Sequence, residues 1–434
     1  MSATTTTIDN VFANEHRQSI PWLGMVGVVL CFLGTVQLTR LMTTPDRMLR
    51  DFVQEWTSAR NWQVGRPVYQ DMRESIPFHL PQARPGDLHF NAHPPVAVLI
   101  ALPFGTFGYS QELRAWNLMS LVCVAIALWG LMGGHGFRLP TSEQLLVSGL
   151  VLSSSVLESQ VLHGQLNGLL FLLLTGAWLA NRHERPVSAG VCIGLATSLK
   201  LFPGLLVLFF LARRQWKAAF AAVGTGLLLN AAAAGILGVD AIRDYVLVVM
   251  PQAQRFCDTW PNASLLGVLT RLLDGAFGQT TPLLRWPQLA RFLWIALSVT
   301  GIAMTWRATS RSRSCENDDL AFTVWIGLML LISPITWDHY FLLAVLPLIA
   351  LWKHPAIGVP SPRAFLICAA LLLVVLSPYT VWRFLVPGYA RFGMTPAIAT
   401  PAMLLTVVSF QFYVTTALFA FGLRRVQPAN ESGY

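Results

Sequence analysis

Residues 20–42 read IPWLGMVGVVLCFLGTVQLTRLM, and this stretch decides the class of fold. It carries one charged side chain, Arg40, and matches the roughly 20 residues that an α-helix needs to cross a bilayer. Inside lipid every backbone polar group must be paired within the segment, so such a run predicts a spanning helix. No small-residue cleavage site follows, and we interpret the run as an uncleaved anchor.

Apolar runs of this kind recur along the chain. The 434 residues are 54% hydrophobic and only 12% charged, with a mean hydropathy of +0.54. A soluble domain has about 25% charged residues, so most of this surface must face lipid. We expect an all-α polytopic integral membrane protein with about 12 transmembrane helices. The candidate spans are 20–42, 94–108, 113–132, 143–158, 166–181, 187–212, 217–238, 288–306, 319–334, 338–352, 363–382 and 398–423.

The positive charge lies in short connections between these runs, although the net charge is +9. That placement is typical of cytoplasmic loops, and no basic groove interleaved with aromatics indicates nucleic acid. We therefore expect two long outer loops, 43–92 and 239–287, in a single membrane-embedded domain, 20–423. Residues 1–19 are predicted to be a disordered cytoplasmic tail and 424–434 a second cytoplasmic tail. The basic residues are Arg182, Arg185, Arg213, Arg214, Lys217, Arg307, Arg311, Arg313, Lys353, Arg363, Arg424 and Arg425.

The first outer loop carries a carboxylate directly after the first span. From position 51 it reads DFVQEWTSARNWQVGRPVY, and Phe52, Trp56 and Ala59 fall at helical spacing. This pattern predicts a juxtamembrane helix over about 52–62, with aromatics in the headgroup layer. Asp51 can then act as a base on a lipid-borne substrate at the water boundary. The alternative is a solvated or helix-capping aspartate. The competing carboxylates are Asp46 and, more weakly, Glu55 and Asp71.

Two further polar features interrupt apolar runs. Lys200 begins the sequence KLFP at 200–203, where Pro203 breaks the helix, so 187–212 is interpreted as two short helices that dip in and return. A cation beside a broken helix end favours an anion, whereas the alternative is a snorkelling lysine. The short run 94–108 has the same re-entrant alternative. Asp338 and His339 lie between two apolar runs, where ionisable groups are often functional; the alternative is an interfacial aromatic belt.

Smaller polar candidates complete the set. Gln165 and Asn167 lie near a span end, where hydrogen bonding between helices is the alternative to contact with a substrate. Asn262 in the second outer loop, with Arg255 nearby, can contact a substrate or simply hold the loop. If the basic loops are cytoplasmic, counting spans places Gln165, Lys200 and His339 on the same side as Asp51. The six cysteines show no metal or disulfide spacing.

Taken together, these segments resemble glycosyltransferase family 87, the polyprenyl-phosphate-mannose-dependent, mannosyltransferase-like enzymes of the GT-C superfamily. The resemblance covers about residues 20–350, and the order and spacing of the motifs make it specific. The matching segments are Asp51-Phe52 to Trp56, Ala59, Gly65, Pro67 and Tyr69; His93-Pro94-Pro95; Gly164-Gln165-Leu166-Asn167; Lys200-Leu201-Phe202-Pro203 with Arg213-Arg214; Asn262-Ala263-Ser264-Leu265; and Ser333 through His339.

The resemblance implies a GT-C-type fold and an inverting transfer at the outer face of the cytoplasmic membrane. The donor would be a polyprenyl-phosphate-linked sugar, most simply mannose, and the acceptor a glycolipid or glycan hydroxyl within membrane lipids. Asp51 would be the base, Lys200 and His339 would stabilise the departing phosphate, and Asp338 would orient His339. At His93 the family pattern usually has an aromatic such as tyrosine, which implies a different acceptor contact. No cofactor or metal is required, because the leaving group is already a stabilised phosphate.

Two other classes of function stay open from sequence. A transporter or lipid-carrier flippase would show inverted repeats and several intramembrane carboxylates, whereas Glu158 is almost the only carboxylate inside a candidate span. A non-catalytic partner of a cell-envelope assembly is the third reading. No glycine-rich phosphate loop follows a strand, which agrees with a donor already attached to lipid.

Overall fold

The computed structural model describes residues 21–43, 51–83, 90–257, 259, 261–275, 282–311, 315–354, 360–385 and 401–426. Throughout this described part the regular structure is helical, so the all-α prediction is confirmed there. The predicted tail 1–19, residues 427–434 of the second tail and Asp46 lie outside it. The first helices are α1 (Pro21–Thr43), α2 (Phe52–Gln63), α3 (Met72–His79), α4 (Pro95–Ala101), α5 (Tyr109–Met132), α6 (Thr141–Leu152), α7 (Ser155–His163), α8 (Asn167–Arg182) and α9 (Pro186–Leu199).

The second half of the described chain is equally helical. It contains α10 (Val207–Ala212), α11 (Trp216–Leu237), α12 (Val239–Asp244), α13 (Met250–Ala253), α14 (Leu265–Leu273), α15 (Pro287–Arg311), α16 (Cys315–Ile332), α17 (Val345–Lys353), α18 (Pro360–Ala370), α19 (Pro378–Leu385), α20 (Pro401–Leu405) and α21 (Phe410–Leu423). Short 3-10 helices cover Leu102–Phe104, Phe202–Leu206, Gln254–Phe256 and Asp338–Ala344, and π-helical turns cover Tyr245–Val249 and Leu371–Val375.

Five helices of the described chain are long and apolar enough to cross a membrane. Two bent helix pairs raise this number to seven if each pair is one span, so a multi-pass membrane protein is confirmed. The count of about 12 crossings and the re-entrant alternatives stay predictions. The five long spans are Trp22–Thr43, Tyr109–Met132, Trp216–Leu237, Pro287–Arg311 and Pro401–Leu423. The last of them comprises α20, α21 and the turn between them.

The predicted break at Lys200 is confirmed, because α9 ends at Leu199 and a 3-10 turn begins at Phe202. The span predicted over 143–158 is wrong as one continuous helix. It is divided between α6 and α7, which meet at a bend of 47°. At this break the Ser154 side chain accepts a hydrogen bond of 3.1 Å from the backbone N–H of Leu157 and so caps α7.

Small residues let two pairs of helices approach until their backbones touch. A Cβ added to Gly27 of α1 would lie 2.5 Å from the carbonyl carbon of Leu145 in α6. A Cβ added to Gly190 of α9 would lie 2.1 Å from the carbonyl oxygen of Ala218 in α11. Such close packing replaces the hydrophobic effect, which gives no driving force between helices surrounded by lipid.

The juxtamembrane helix is present as α2, but its aromatic face does not lie among headgroups. Phe52 and Trp56 are buried inside the protein. The Phe52 ring lies 4.7 Å from that of Trp116, and the Trp56 ring 5.4 Å from that of Tyr109. The location predicted for these aromatics is therefore wrong, because α5 offers an aromatic surface that packs more closely than lipid. This packing fixes the start of α2, and hence Asp51, relative to α5.

Candidate active site

A cavity of about 760 Å³ opens where four chain breaks meet. These are the start of α2, the turn between α7 and α8, the break after α9 and the connection from α16 to the 3-10 helix at Asp338–Ala344. Its walls include Asp51, Gln165, Lys200 and His339, which are distant in sequence. These side chains, which were predicted to lie on one side of the membrane, therefore meet in one cavity, while the side of the membrane stays a prediction.

Asp51 faces this cavity and does not cap its helix. Its side chain makes no capping hydrogen bond to α2, in contrast to the alternative considered from sequence. Instead Oδ2 accepts a hydrogen bond of 2.7 Å from Nε2 of Gln165, and Nδ1 of His163 lies 3.5 Å from the same oxygen. Among the described residues none donates a hydrogen bond to Oδ1. With one third of the side chain exposed, Oδ1 is the carboxylate oxygen available to a substrate.

These neighbours also set the charge of Asp51. Removal from solvent raises the pKa of the carboxyl, but the hydrogen bond and charge of His163 lower it. The charge of His339 and the hydrogen bond from Gln165 lower it further, so the pKa lies below its ordinary value. The group is thus a carboxylate throughout the neutral range and can accept a proton.

A left-handed glycine brings the α7–α8 turn to Asp51. Gly164 has φ 66° and ends α7, and its carbonyl accepts a hydrogen bond of 2.8 Å from Nε1 of Trp116. A Cβ at this position would lie 2.8 Å from Cβ of Phe52. Only glycine meets both demands without strain, and the turn then presents His163 and Gln165 to the carboxylate.

Lys200 is buried, with 5% of its surface exposed, and lies at the C-terminal end of α9. Its ammonium donates to Oε1 of Gln165 at 3.0 Å, to Oδ1 of Asn167 at 3.3 Å and to the Tyr340 hydroxyl at 3.3 Å. Three neutral oxygens therefore occupy its three donors. No described carboxylate lies within 4.0 Å of it, so its positive charge is available to an anion in the cavity.

His339 and Asp338 form a buried pair beside this cation. Nδ1 of His339 lies 3.2 Å from Oδ1 of Asp338, and the His339 ring centroid lies 5.9 Å from that of His163. Both rings line the cavity. The Asp338 carboxylate is thus the acidic group beside the imidazole, and its orienting role stays a prediction.

The other candidates occupy different places. His93 lines the cavity, whereas Asn167 is buried behind it and reaches it only through Lys200. The Asn262 amide donates to the carbonyl of Pro334 at 3.0 Å and accepts from the backbone N–H of Thr336 at 2.9 Å, so it joins its own loop to the cavity wall. Arg255 is exposed and is not among the residues that line the cavity.

The competing carboxylates have other contacts. Glu55 is buried against His93 and does not line the cavity. Asp71 caps α3 by accepting from the backbone N–H of Arg73 at 2.8 Å, and it pairs with the guanidinium of that residue. Within the described chain, the carboxylates lining the cavity are therefore Asp51 and Asp338.

Sequence reasoning missed His163 and Tyr340 as site residues. His163 directly precedes the Gly164-Gln165 motif, and Tyr340 directly follows His339. Adjacency to these motifs was the available signal. Among the described residues, no group of three or more His, Cys, Asp and Glu side chains is arranged to hold a metal ion.

A carboxylate, a cation and an imidazole thus line one cavity of a helical membrane protein, and such groups can take up a proton and stabilise a negative charge. The family model described as glycosyltransferase family 87 matches residues 91–334, more than half of the chain. The chain belongs to glycosyltransferase family 87, and it is a membrane glycosyltransferase.

Curated relatives agree with this family. The chain is 28% identical over 350 residues to a polyprenol-phosphate-mannose-dependent α-(1-2)-phosphatidylinositol mannoside mannosyltransferase of Mycobacterium tuberculosis, covering 77% of this chain and 74% of that protein. The Mycolicibacterium smegmatis protein of the same description is 24% identical, covering 74% of each chain. An α-(1→3)-arabinofuranosyltransferase of Corynebacterium glutamicum is 26% identical, covering 61% of this chain and 58% of that protein.

Proposed function

We propose that this chain transfers a mannosyl group from polyprenyl-phosphate mannose to a hydroxyl of a glycolipid, at the outer face of the cytoplasmic membrane. The observation that carries the proposal is the bridge formed by Gln165, which donates to Asp51 and accepts from Lys200. It places a base and a cation on the two sides of one amide. The mannosyltransferase relatives support the donor and the glycolipid class of acceptor.

The proposed reaction is a single displacement with inversion. Oδ1 of Asp51 takes the proton of the acceptor hydroxyl as that oxygen forms its bond to the anomeric carbon of the sugar. The bond from the anomeric carbon to the phosphate oxygen breaks, and its electron pair leaves with polyprenyl phosphate. Lys200 and His339 stabilise the phosphate charge that develops, an effect that is strong in a site shielded from water.

The donor also acts on the base. The hydrogen bonds and positive charges around Asp51 hold its pKa low, which makes it a weak base. An anionic phosphate beside Lys200 opposes those charges and raises the affinity of Asp51 for a proton. Asp51 would thus become a stronger base when the donor is bound.

Replacement of Asp51 by Asn tests the role of the base. The variant should lose at least a hundredfold in turnover, a typical contribution of general base catalysis, in proteoliposomes supplied with radiolabelled polyprenyl-phosphate mannose and a phosphatidylinositol mannoside. The matched control is Asp71→Asn in the same outer loop, which keeps a capping side chain on α3 and should retain activity. Full activity of Asp51→Asn would remove Asp51 from the mechanism. Transfer from an arabinofuranosyl donor in place of mannose would correct the sugar.

The architecture proposed with this function is one GT-C-type domain over residues 20–423, with about 12 crossings and outer loops 43–92 and 239–287. Exposed positions Glu74 and Glu184 lie in loops expected on opposite sides. In a background without the six native cysteines, a membrane-impermeant thiol reagent should label Glu74→Cys in intact cells. It should label Glu184→Cys only after permeabilisation. The reverse pattern would put the active site on the cytoplasmic side.

A further inference from the structure

A second wall of the cavity contains the His93 imidazole, which is backed by the buried carboxylate of Glu55, and the proposed reaction uses neither group. His93 lies just before α4, and its backbone is fixed on both sides. Its carbonyl accepts a hydrogen bond of 2.7 Å from the Tyr69 hydroxyl, and its N–H donates to Oδ1 of Asn91 at 2.9 Å. The preceding residue, Ala92, donates its N–H to Oε1 of Gln54 at 3.1 Å. The segment that carries the imidazole is therefore held against α2.

The imidazole ring has one buried and one open nitrogen. Nδ1 of His93 is in direct contact with Oε1 of Glu55, whose side chain is 2% exposed. Neither atom has another partner among the described residues, so a proton between the two satisfies both. Nε2 makes no hydrogen bond to any described residue, and it is accessible rather than buried. Since His93 lines the cavity, its free nitrogen faces the space for substrate.

We propose that Glu55 and His93 form a sugar-hydroxyl site in the wall of the cavity. In this pair the Glu55 carboxylate accepts the N–H of Nδ1, and Nε2 is the ring atom left to accept a hydrogen bond on the cavity side. The ligand class is a sugar hydroxyl, which donates its proton in the hydrogen bond. His93 makes the contact, and Glu55 is a positioning residue that acts through it.

The position of this pair suits a sugar ring that is also in contact with the base. Asp51 and His93 both line the cavity. Glu55 follows Asp51 by four residues, about one helical turn, so the residue that holds His93 lies on the same helix face as the base. This step rests on the proposed function, because it takes the sugar to be a substrate of the Asp51 reaction.

Two substitutions of His93 separate the buried contact from the cavity contact. His93→Asn keeps an amide N–H near the position of Nδ1, where it can still bond Glu55, but it has no atom at the position of Nε2. His93→Gln keeps a polar atom near the position of Nε2 and lacks the partner for Glu55. We expect His93→Asn to raise KM about threefold to tenfold with kcat changed less than twofold, since one neutral hydrogen bond is lost. His93→Gln should fall between His93→Asn and the wild type.

Kinetics with polyprenyl-phosphate mannose and with a phosphatidylinositol mannoside, each varied in turn, show which substrate carries the hydroxyl. The KM that rises identifies it. Binding of both compounds to the protein in nanodiscs gives the same comparison without turnover. A wild type that binds but transfers nothing would refute the proposed function and leave the hydroxyl site testable by affinity.

A double-mutant cycle tests the role of Glu55. Glu55→Gln alone should weaken the binding of the same substrate. The double variant Glu55→Gln with His93→Asn should bind that substrate as well as His93→Asn does. Purely additive effects would show that Glu55 does not act through His93. The proposed hydroxyl site would be refuted if His93→Asn kept wild-type thermal stability and both its KM values and both its affinities lay within twofold of the wild type.

Discussion

Replacing Gln165 by Met probes the centre of the proposed site, because one amide contacts both charged partners. Met has a similar volume, but it can neither donate to Asp51 nor accept well from Lys200. Gln165 is 6% exposed, and its bond to the carboxylate is 2.7 Å long. A hydrogen bond to a charged group contributes about 1.5–3 kcal/mol. We expect kcat/KM for mannosyl transfer to fall about tenfold to a hundredfold.

The substitution Gln165→Glu distinguishes a lost hydrogen bond from a disturbed fold. At neutral pH it places a second carboxylate about 3 Å from Asp51 and should be at least as inactive as Gln165→Met. When the pH falls, the new acid gains a proton that it can donate to Asp51, so part of the activity should return. Gln165→Met has no such group and should not recover. The assay is the initial rate in proteoliposomes from pH 5 to 8, and wild-type kcat/KM in Gln165→Met would refute the reasoning.

Three other expectations follow from particular contacts. Because the pKa of Asp51 lies below the ordinary carboxyl value of about 3.9, the group stays ionised at every pH above that value. Protonation of Asp51 should therefore cause no loss of kcat/KM between pH 5 and 7. A loss of kcat/KM in this range, with a midpoint pH that changes in Asp51→Glu, would contradict this. Asn262→Ala should destabilise the fold by about 2–4 kcal/mol, since it leaves the buried backbone N–H groups of Ser264 and Thr336 without their acceptor. Thermal unfolding in detergent would show the loss, and an unchanged transition would contradict a structural role for Asn262. Gly164→Ala should lower both the thermal stability and kcat, since the φ of 66° and the 2.8 Å approach to Phe52 exclude a Cβ. The control variant is Gly108→Ala, where the added methyl group meets open space and both quantities should stay unchanged.

The sequence was sufficient for the features that depend on local chemistry. Uninterrupted apolar runs predict helices in lipid, and the described part of the chain has five that are long enough to span a membrane. Pro203 predicts a break after α9, and the helix ends at Leu199. Counting spans brought Asp51, Gln165, Lys200 and His339 to one side, and all four line one cavity.

The features that sequence missed depend on the packing of distant segments. Phe52 and Trp56 were expected among headgroups, but α5 supplies rings against which they stack. Helical spacing reveals that such a face exists and carries no information on whether lipid or protein covers it. Likewise, nothing local indicates that His163 reaches Asp51, since this contact depends on the left-handed turn at Gly164.

Gln165 keeps the Asp51 carboxylate and the Lys200 ammonium from forming a direct ion pair. A direct ion pair between Asp51 and Lys200 would hold the carboxylate ionised and would cancel the positive charge that a phosphate needs. The amide between them prevents this: its N–H group bonds the carboxylate, and its carbonyl bonds the ammonium. Oδ1 of Asp51 thus stays open to a hydroxyl proton, and the charge of Lys200 stays uncompensated by any described carboxylate within ion-pair distance. In the proposed reaction, one neutral side chain thus keeps two opposite charges close together, one to take the hydroxyl proton and the other to stabilise the departing phosphate.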